Sequence, residues 1–272
     1  MGEFNPLVRD VQLLLKEKGF DVAVDGLIGP GTLNAVLKAL GGPIPAAPPA
    51  PIATATELAD PGAFFAHMRT LNVLGPDLTQ SEVDGCNAII GACGKAGFSI
   101  GYVAYCLATA YHETNGTMQP IHELGGAAYF TRLYDVTGSQ PDRARKMGNT
   151  APGDGVRYCG RGLVQLTWKS NYAKATAKLR QLGLIGDDVD MVANPDLAMR
   201  PDIAAAIMVV GMREGWFTGR DLDDDIPSDR PATLEEFVRS RDIINGTDKA
   251  GAIAAEAVAF ENGLLAGRWR AA

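Results

Sequence analysis

Histidine is scarce in this chain: three occur among 272 residues. Two of them, His112 and His122, each stand directly before a glutamate. A helical zinc site of the His-Glu-x-x-His kind needs a second histidine four residues after His112, and that position is Gly116. His122 lies beyond Gly116 and Pro120, on a loop, and His67 is remote in sequence, which leaves only a metal site assembled from distant segments. No metal is therefore expected. Cysteine is also sparse. Cys86, Cys93, Cys106 and Cys159 contain no Cys-x-x-Cys spacing, which argues against a zinc cage. The first three sit in small-residue, helical-looking segments and read as buried, reduced thiols.

Basic charge is short as well. Lys plus Arg total 25 against 32 Asp plus Glu, a formal net charge of -7. That balance lacks the basic stripe of a general nucleic-acid binder. The densest acidic run, Asp221 to Ile226, is short and lacks the spaced pattern of a calcium loop, so it reads as a solvated loop. Apolar runs are too short to span a bilayer, and no stable membrane association is expected. At the N-terminus there is no basic region, and Arg9 and Asp10 interrupt the apolar run, so a secretory signal is not expected and synthesis in a cytoplasm is.

Proline and alanine, by contrast, are concentrated. The stretch GGPIPAAPPAPIATATE, Gly41 to Glu57, offers little to a core, and its prolines favour an extended spacer. It separates a module over residues 1–41 from one over 58–272, with 42–57 as linker. In the small module, Val8, Val11, Leu14 and Leu15 recur at helical spacing, and Gly19 is placed to stop that helix. Turns follow at Asp25-Gly26 and Gly29-Pro30, and Thr32 is placed to cap a last helix carrying Leu33, Val36, Leu37 and Leu40. A three-helix bundle of this size has room for binding rather than catalysis.

The large module reads as mainly α. Helices are expected over Pro61–Asn72, Gln80–Ala96 and a third from Ser99 that ends near Asn115-Gly116, placing Glu113 on its last turn beside a core face. Glu123 falls on the following loop. One carboxylic acid and one carboxylate across a cleft are what glycoside hydrolysis requires, but two glutamates ten residues apart are by themselves a weak signal. The stretch GDGVRYCGRGLVQLTWKSNYAKA adds Arg157, Tyr158, Arg161, Gln165, Thr167, Trp168, Asn171 and Tyr172, with Gly160 and Gly162 permitting close backbone approach. Alternation from Leu163 to Thr167 predicts a short strand, followed by a helix from about Asn171.

Two resemblances follow from these motifs. VQLLLKEKGF, VDGLIGPGT and AVLKAL, in that order, resemble the peptidoglycan-binding domain of cell-wall hydrolases, with Asp25, Gly26, Gly29, Pro30 and Thr32 carrying its turn signature. HET with a second glutamate about ten residues on, then YCGRGLVQLTWKSNY, NPDLAMRPDIAAAIMVVGMREGWF and RDIINGTDKAGAIAAEAVAFENGL, resembles glycoside hydrolase family 19, which includes chitinases and phage endolysins. The second resemblance covers almost all of residues 60–270. It implies a mostly helical, lysozyme-like catalytic domain with a short β element and an inverting mechanism. Glu113 matches the general acid, Glu123 the general base and Thr167 the hydroxyl that helps hold the attacking water. Tyr158, Arg161, Gln165, Asn171 and Asn245 match positions that line the sugar cleft or support it. The chain departs from the family where Asn115-Gly116 replaces a Gly-Gly pair, and where LGGAAYF follows the second glutamate. The implied substrate is peptidoglycan or chitin. The small module favours peptidoglycan, and the monomeric chain would wait in a host cytoplasm until another protein opened the membrane. A cell-wall-binding protein with an inactive hydrolase domain is the non-enzymatic alternative.

Overall fold

A computed structural model of the chain describes residues 6–20, 22, 24, 32, 35–36, 39, 58–71, 73–75, 77–244 and 246–270. The chain divides into two compact units, Met1–Thr54 and Ala55–Ala272. The expected spacer and the Asp25-Gly26 and Gly29-Pro30 turns lie outside the described residues, as does the number of helices in the small unit.

In the small unit, helix α1 spans Pro6–Glu17 and ends before Gly19, whose φ of +85° suits the glycine expected there. Its buried side differs from the predicted one. Leu15 packs with Val22 and Ala35, and Gln12 is fully buried, whereas Val11 and Leu14 are exposed. The amide of Gln12 donates to Thr32 Oγ1 at 2.9 Å. That hydrogen bond is what allows a polar side chain to take the inward position.

The large unit is mostly helical, as expected. It begins with α2 (Pro61–Leu71), α3 (Gln80–Lys95) and α4 (Ile100–Glu113). Thr79 starts α3 with a reciprocal cap: its hydroxyl accepts from Glu82 N, and Glu82 accepts from Thr79 N. Strands β1 (Ile121–His122) and β2 (Arg161–Gly162) form an antiparallel ribbon in which Ile121 faces Gly162 and His122 faces Arg161. Between them run α5 (Ala127–Tyr134), α6 (Pro141–Lys146) and α7 (Asp154–Arg157). Helices α8 (Lys169–Gln181), α9 (Pro201–Arg213), α10 (Leu234–Arg239) and α11 (Ala250–Ala266) complete the unit, with 3₁₀ turns at Pro195–Met199, Leu222–Asp224 and Ser240–Ile243.

Helix α4 is the axis of the core. Every residue from Gly101 to Ala110 is buried, so the helix has no solvent face over that span. A helix apolar all round belongs inside a domain. Helices α3 and α11 pack on it, α10 and α2 pack on α11, and α9 packs on α3. Only its last turn, with Glu113, emerges from the core. Cys86, Cys93 and Cys106 are free and buried, as read from the sequence, and Cys159 is free and buried as well.

The predicted strand from Leu163 to Thr167 is a turn instead. Strand β2 stops at Gly162, where φ is +91°, and Gln165 has φ +52°. The chain folds back so that Arg161 and Leu166 bridge. The apolar–polar alternation that imitated a strand arises because Leu163, Val164 and Leu166 bury, while Gln165 and Thr167 are half-exposed.

Candidate active site

Glu113 closes α4, and the turn after it is fixed by its own hydrogen bonds. Thr114 Oγ1 donates to Ala110 O at 2.7 Å and accepts from Met118 N at 3.0 Å. Asn115 and Gly116 take left-handed φ values of 52° and 83°, ending the helix where the sequence indicates. The turn lies hard against α3: a Cβ on Gly85 would stand 2.0 Å from the carbonyl oxygen of Met118. The segment between the two glutamates is thus braced by the core, and no residue other than glycine fits at position 85 without displacing it.

The Glu113 carboxylate is partly exposed and meets a cation from far along the chain. Arg241 Nη1 donates to Glu113 Oε1 at 3.1 Å, and Arg241 Nε donates to Asp248 O at 3.0 Å. The guanidinium is almost entirely buried, with 3% of the side chain exposed. Helix α4 also anchors the segment that supplies it, because Tyr105 OH donates to Ser240 O at 2.6 Å and its ring stacks on Phe237. His112, the neighbour of Glu113, is half-buried. Burial pushes its imidazole below the ordinary value, while the Glu113 charge pulls the other way.

Glu123 is held by different groups. Tyr134 OH donates to Oε1 at 2.8 Å and Gly160 N to Oε2 at 2.9 Å, while Glu123 N donates back to Gly160 O at 2.9 Å. Burial, then the bond to Glu123, push the Tyr134 phenol above its ordinary value, which keeps it a donor. Gly160 permits the approach: a Cβ there would lie 3.0 Å from Glu123 Oε2 and 2.8 Å from Gln165 Oε1.

The polar turn after β2 stands on the same side. Gln165 Nε2 donates to Ile121 O and Gly162 O, clamping β1 to the turn. Thr167 Oγ1 donates to Gln165 O at 2.8 Å, and Asn171 Nδ2 donates to Thr167 O at 2.8 Å. Glu123, Gln165, Thr167 and Asn171 are therefore linked through Gly160 and the turn's own hydrogen bonds. Glu113 is organised separately, around Arg241.

Of the residues expected to line the sugar cleft or support it, two lie inside the protein. Tyr158 is buried, and its hydroxyl donates to Val192 O. Arg161 is buried too: its guanidinium donates to Asp196, to the carbonyls of Arg157 and Cys159, and to Tyr172 OH. With their polar atoms committed inside the protein, both brace the β2 turn and are not placed to contact a sugar. Asn245 lies outside the described residues. Sequence reasoning missed Arg241 and Tyr134. Arg241 opens the Arg-Asp-Ile-Ile-Asn-Gly stretch, but its pairing with Glu113 spans 128 residues, and nothing local announces it. Tyr134 carries no motif at all.

Among the described residues, no group of three or more His, Cys, Asp or Glu side chains is disposed to hold a metal. His122 stands 4.0 Å from Asp196, apart from His112 in the α4 turn.

No protein-family model and no curated protein matches the sequence. Solved structures do match. Chitinase C from Streptomyces griseus aligns at TM-score 0.48 and 19% identity, over 79% of this chain and 78% of that one. A point mutant of chitinase C gives 0.44 and 20%, over 79% and 95%. A bacterial family 19 chitinase gives 0.42 and 17%, over 79% and 97%. A likeness at this level transfers no activity; the case for one stands on the residues of the site.

Proposed function

We propose that the large unit is an inverting glycoside hydrolase that cuts β-1,4 bonds of bacterial peptidoglycan, and that the chain acts as an endolysin whose small unit holds it on the wall. The observation that carries the reading is the pair of glutamates on separate, independently braced elements. Each offers a reachable carboxylate whose orientation is fixed by protein donors.

In this reading Glu113 protonates the glycosidic oxygen and Arg241 sets the carboxylate's direction. Glu123 takes a proton from the water that attacks the opposite face of the sugar. Thr167 has a defined part. Its hydroxyl hydrogen is committed to the Gln165 carbonyl, so toward a water it can only accept. A water placed between Thr167 and Glu123 would donate one hydrogen to each, which points its lone pair outward for attack. Tyr134 and Gly160 hold the base still while this happens, and no cofactor is required.

The test compares wild type with Glu113→Gln and Glu123→Gln on outer-membrane-stripped Gram-negative cells and on chitin oligomers. Each substitution is expected to lower the rate of bond cleavage by about 10²–10⁴-fold, read as turbidity loss and released reducing ends. Equal clearing by wild type and Glu113→Gln would remove Glu113 from the role of acid. Failure of all three to clear either substrate would favour a wall-binding protein. The chemistry of the new reducing ends identifies which sugar is cleaved.

A further inference from the structure

The surface beside Glu123 carries a charge opposite to that of the chain as a whole. The chain has a formal net charge of -7, yet exposed Arg132, Arg143, Arg145 and Lys146 cluster on α5 and α6. The carboxylates nearby answer little of this. Asp142 is committed to Arg145 at 3.0 Å. Asp135 is buried and saturated by the Thr137, Gly153 and Gly155 donors. Asp154 is buried and lies 3.8 Å from Lys169.

Two of these cations are seated on aromatic rings that lead directly to the base. Arg143 stands over the Trp168 ring at 5.5 Å, and Trp168 meets Tyr134 edge-on at 5.0 Å. Tyr134 is the donor to Glu123 Oε1. Arg132 stands over the Tyr129 ring at 5.8 Å. Tyr129 in turn covers Gly125, next to Leu124, which is 91% exposed. Ring faces hold guanidinium groups without using up their N–H donors. Arg132 makes no side-chain hydrogen bond among the described residues, and Arg143 commits one Nη1 hydrogen to Gln140 Oε1 at 3.5 Å; each guanidinium therefore keeps N–H donors for an anion, and such donors match a carboxylate.

We propose that Arg132 and Arg143 form a cationic rim beside Glu123 that engages a carboxylate carried by the muramyl units of the glycan, selecting peptidoglycan over neutral N-acetylglucosamine polymers. This rests on the hydrolase reading above and adds the basis of its substrate choice. The carboxylate has two sources, the stem peptide or, where that peptide has been removed, the lactyl group freed by its removal.

The experiment uses the full chain and three substrates: soluble glycan strands with stem peptides, the same strands after amidase treatment, which leaves the lactyl carboxylate, and chitin oligomers, which carry none. The ratio of kcat/KM on peptide-bearing strands to that on chitin oligomers is expected to fall about 10-fold in the Arg132→Gln/Arg143→Gln double variant. In wild type the same ratio is expected to fall as salt is raised. A loss confined to peptide-bearing strands assigns the rim to peptide carboxylates, a loss confined to amidase-treated strands assigns it to the freed lactyl carboxylate, and a loss on both shows that it takes either carboxylate. A preference over chitin oligomers that is unchanged on both anionic strands overturns the proposal. Lysine at both positions should restore at least half of the preference; if it restores none, the arginines merely brace Tyr129 and Trp168, and the proposal falls. Should wild type cleave none of the three, the hydrolase reading fails separately. Salt-sensitive co-sedimentation of wild type and double variant with peptidoglycan sacculi then decides the rim without catalysis.

Discussion

Position 160 shows how closely the site is fitted at the scale of one residue. Its amide donates to Glu123 and its missing side chain leaves room for both Glu123 and Gln165. Gly160→Ala should therefore shift the Glu123 carboxylate by a few tenths of an ångström or more while leaving the core untouched. A displacement of that order is expected to lower turnover by about 10- to 10²-fold, with thermal stability close to wild type. Kinetics on glycan strands together with a melting curve check both halves; full activity in the alanine variant would show that Glu123 need not be held here. The same residue marks the reach of sequence reasoning. The Gly-Arg-Gly block, Glu113, Glu123 and Thr167 are local patterns, and a local pattern is visible in one dimension. Tyr158 and Arg161 belong to that block as well, but whether a polar side chain faces a cleft or the interior depends on partners such as Val192 and Asp196 more than thirty positions away. Arg241 and Tyr134 fall on the far side of the same divide.

Among the elements, the helices of the large unit are legible because their apolar spacing and caps are local, and α4 begins and ends where Ser99 and Asn115-Gly116 indicate. The turn after β2 was misread because a left-handed Gln165 leaves no compositional trace. The segment from α5 to α7 depends on one buried carboxylate. Asp135 accepts from Thr137 N, Thr137 Oγ1, Gly153 N and Gly155 N, and next to it Tyr134 O accepts from Asn149 Nδ2. Burial alone would push the Asp135 carboxyl up; the hydrogen bonds outweigh it and hold the group below its ordinary value. The sign for stability follows from linkage. A carboxyl whose folded pKa lies below its unfolded value of about 3.9 stabilises the fold above that pH, and the contribution is lost as pH falls through the folded value. Replacement of the carboxylate by a neutral amide, Asp135→Asn, should lower Tm clearly near pH 6 and progressively less toward pH 3. A Tm deficit independent of pH would mean that the carboxylate's charge contributes nothing. Because this segment carries Tyr134, the variant should also lose activity at neutral pH, where the fold still holds.

At the scale of the whole molecule, the two units have separate cores. Leu15, Val22 and Ala35 form one cluster, while the other runs from Leu58 through Leu264. Under the proposed function, anchoring would act by effective concentration: a small module on the wall would keep the hydrolase near its polymer without altering any bond-breaking step. The acidic chain makes general attraction to an anionic wall an unsuitable substitute for that module. Removal of residues 1–57 should therefore leave kcat/KM on short soluble glycan strands within about 2-fold of the full chain, while retention on insoluble sacculi falls by on the order of 10²-fold. The two measurements separate the possible roles of the small unit. A truncated chain that loses both would show that residues 1–57 contribute to the fold or cleft of the large unit. One that keeps both would remove the anchoring role and leave wall affinity to the large unit alone, where the arginine rim beside Glu123 is the first surface to examine.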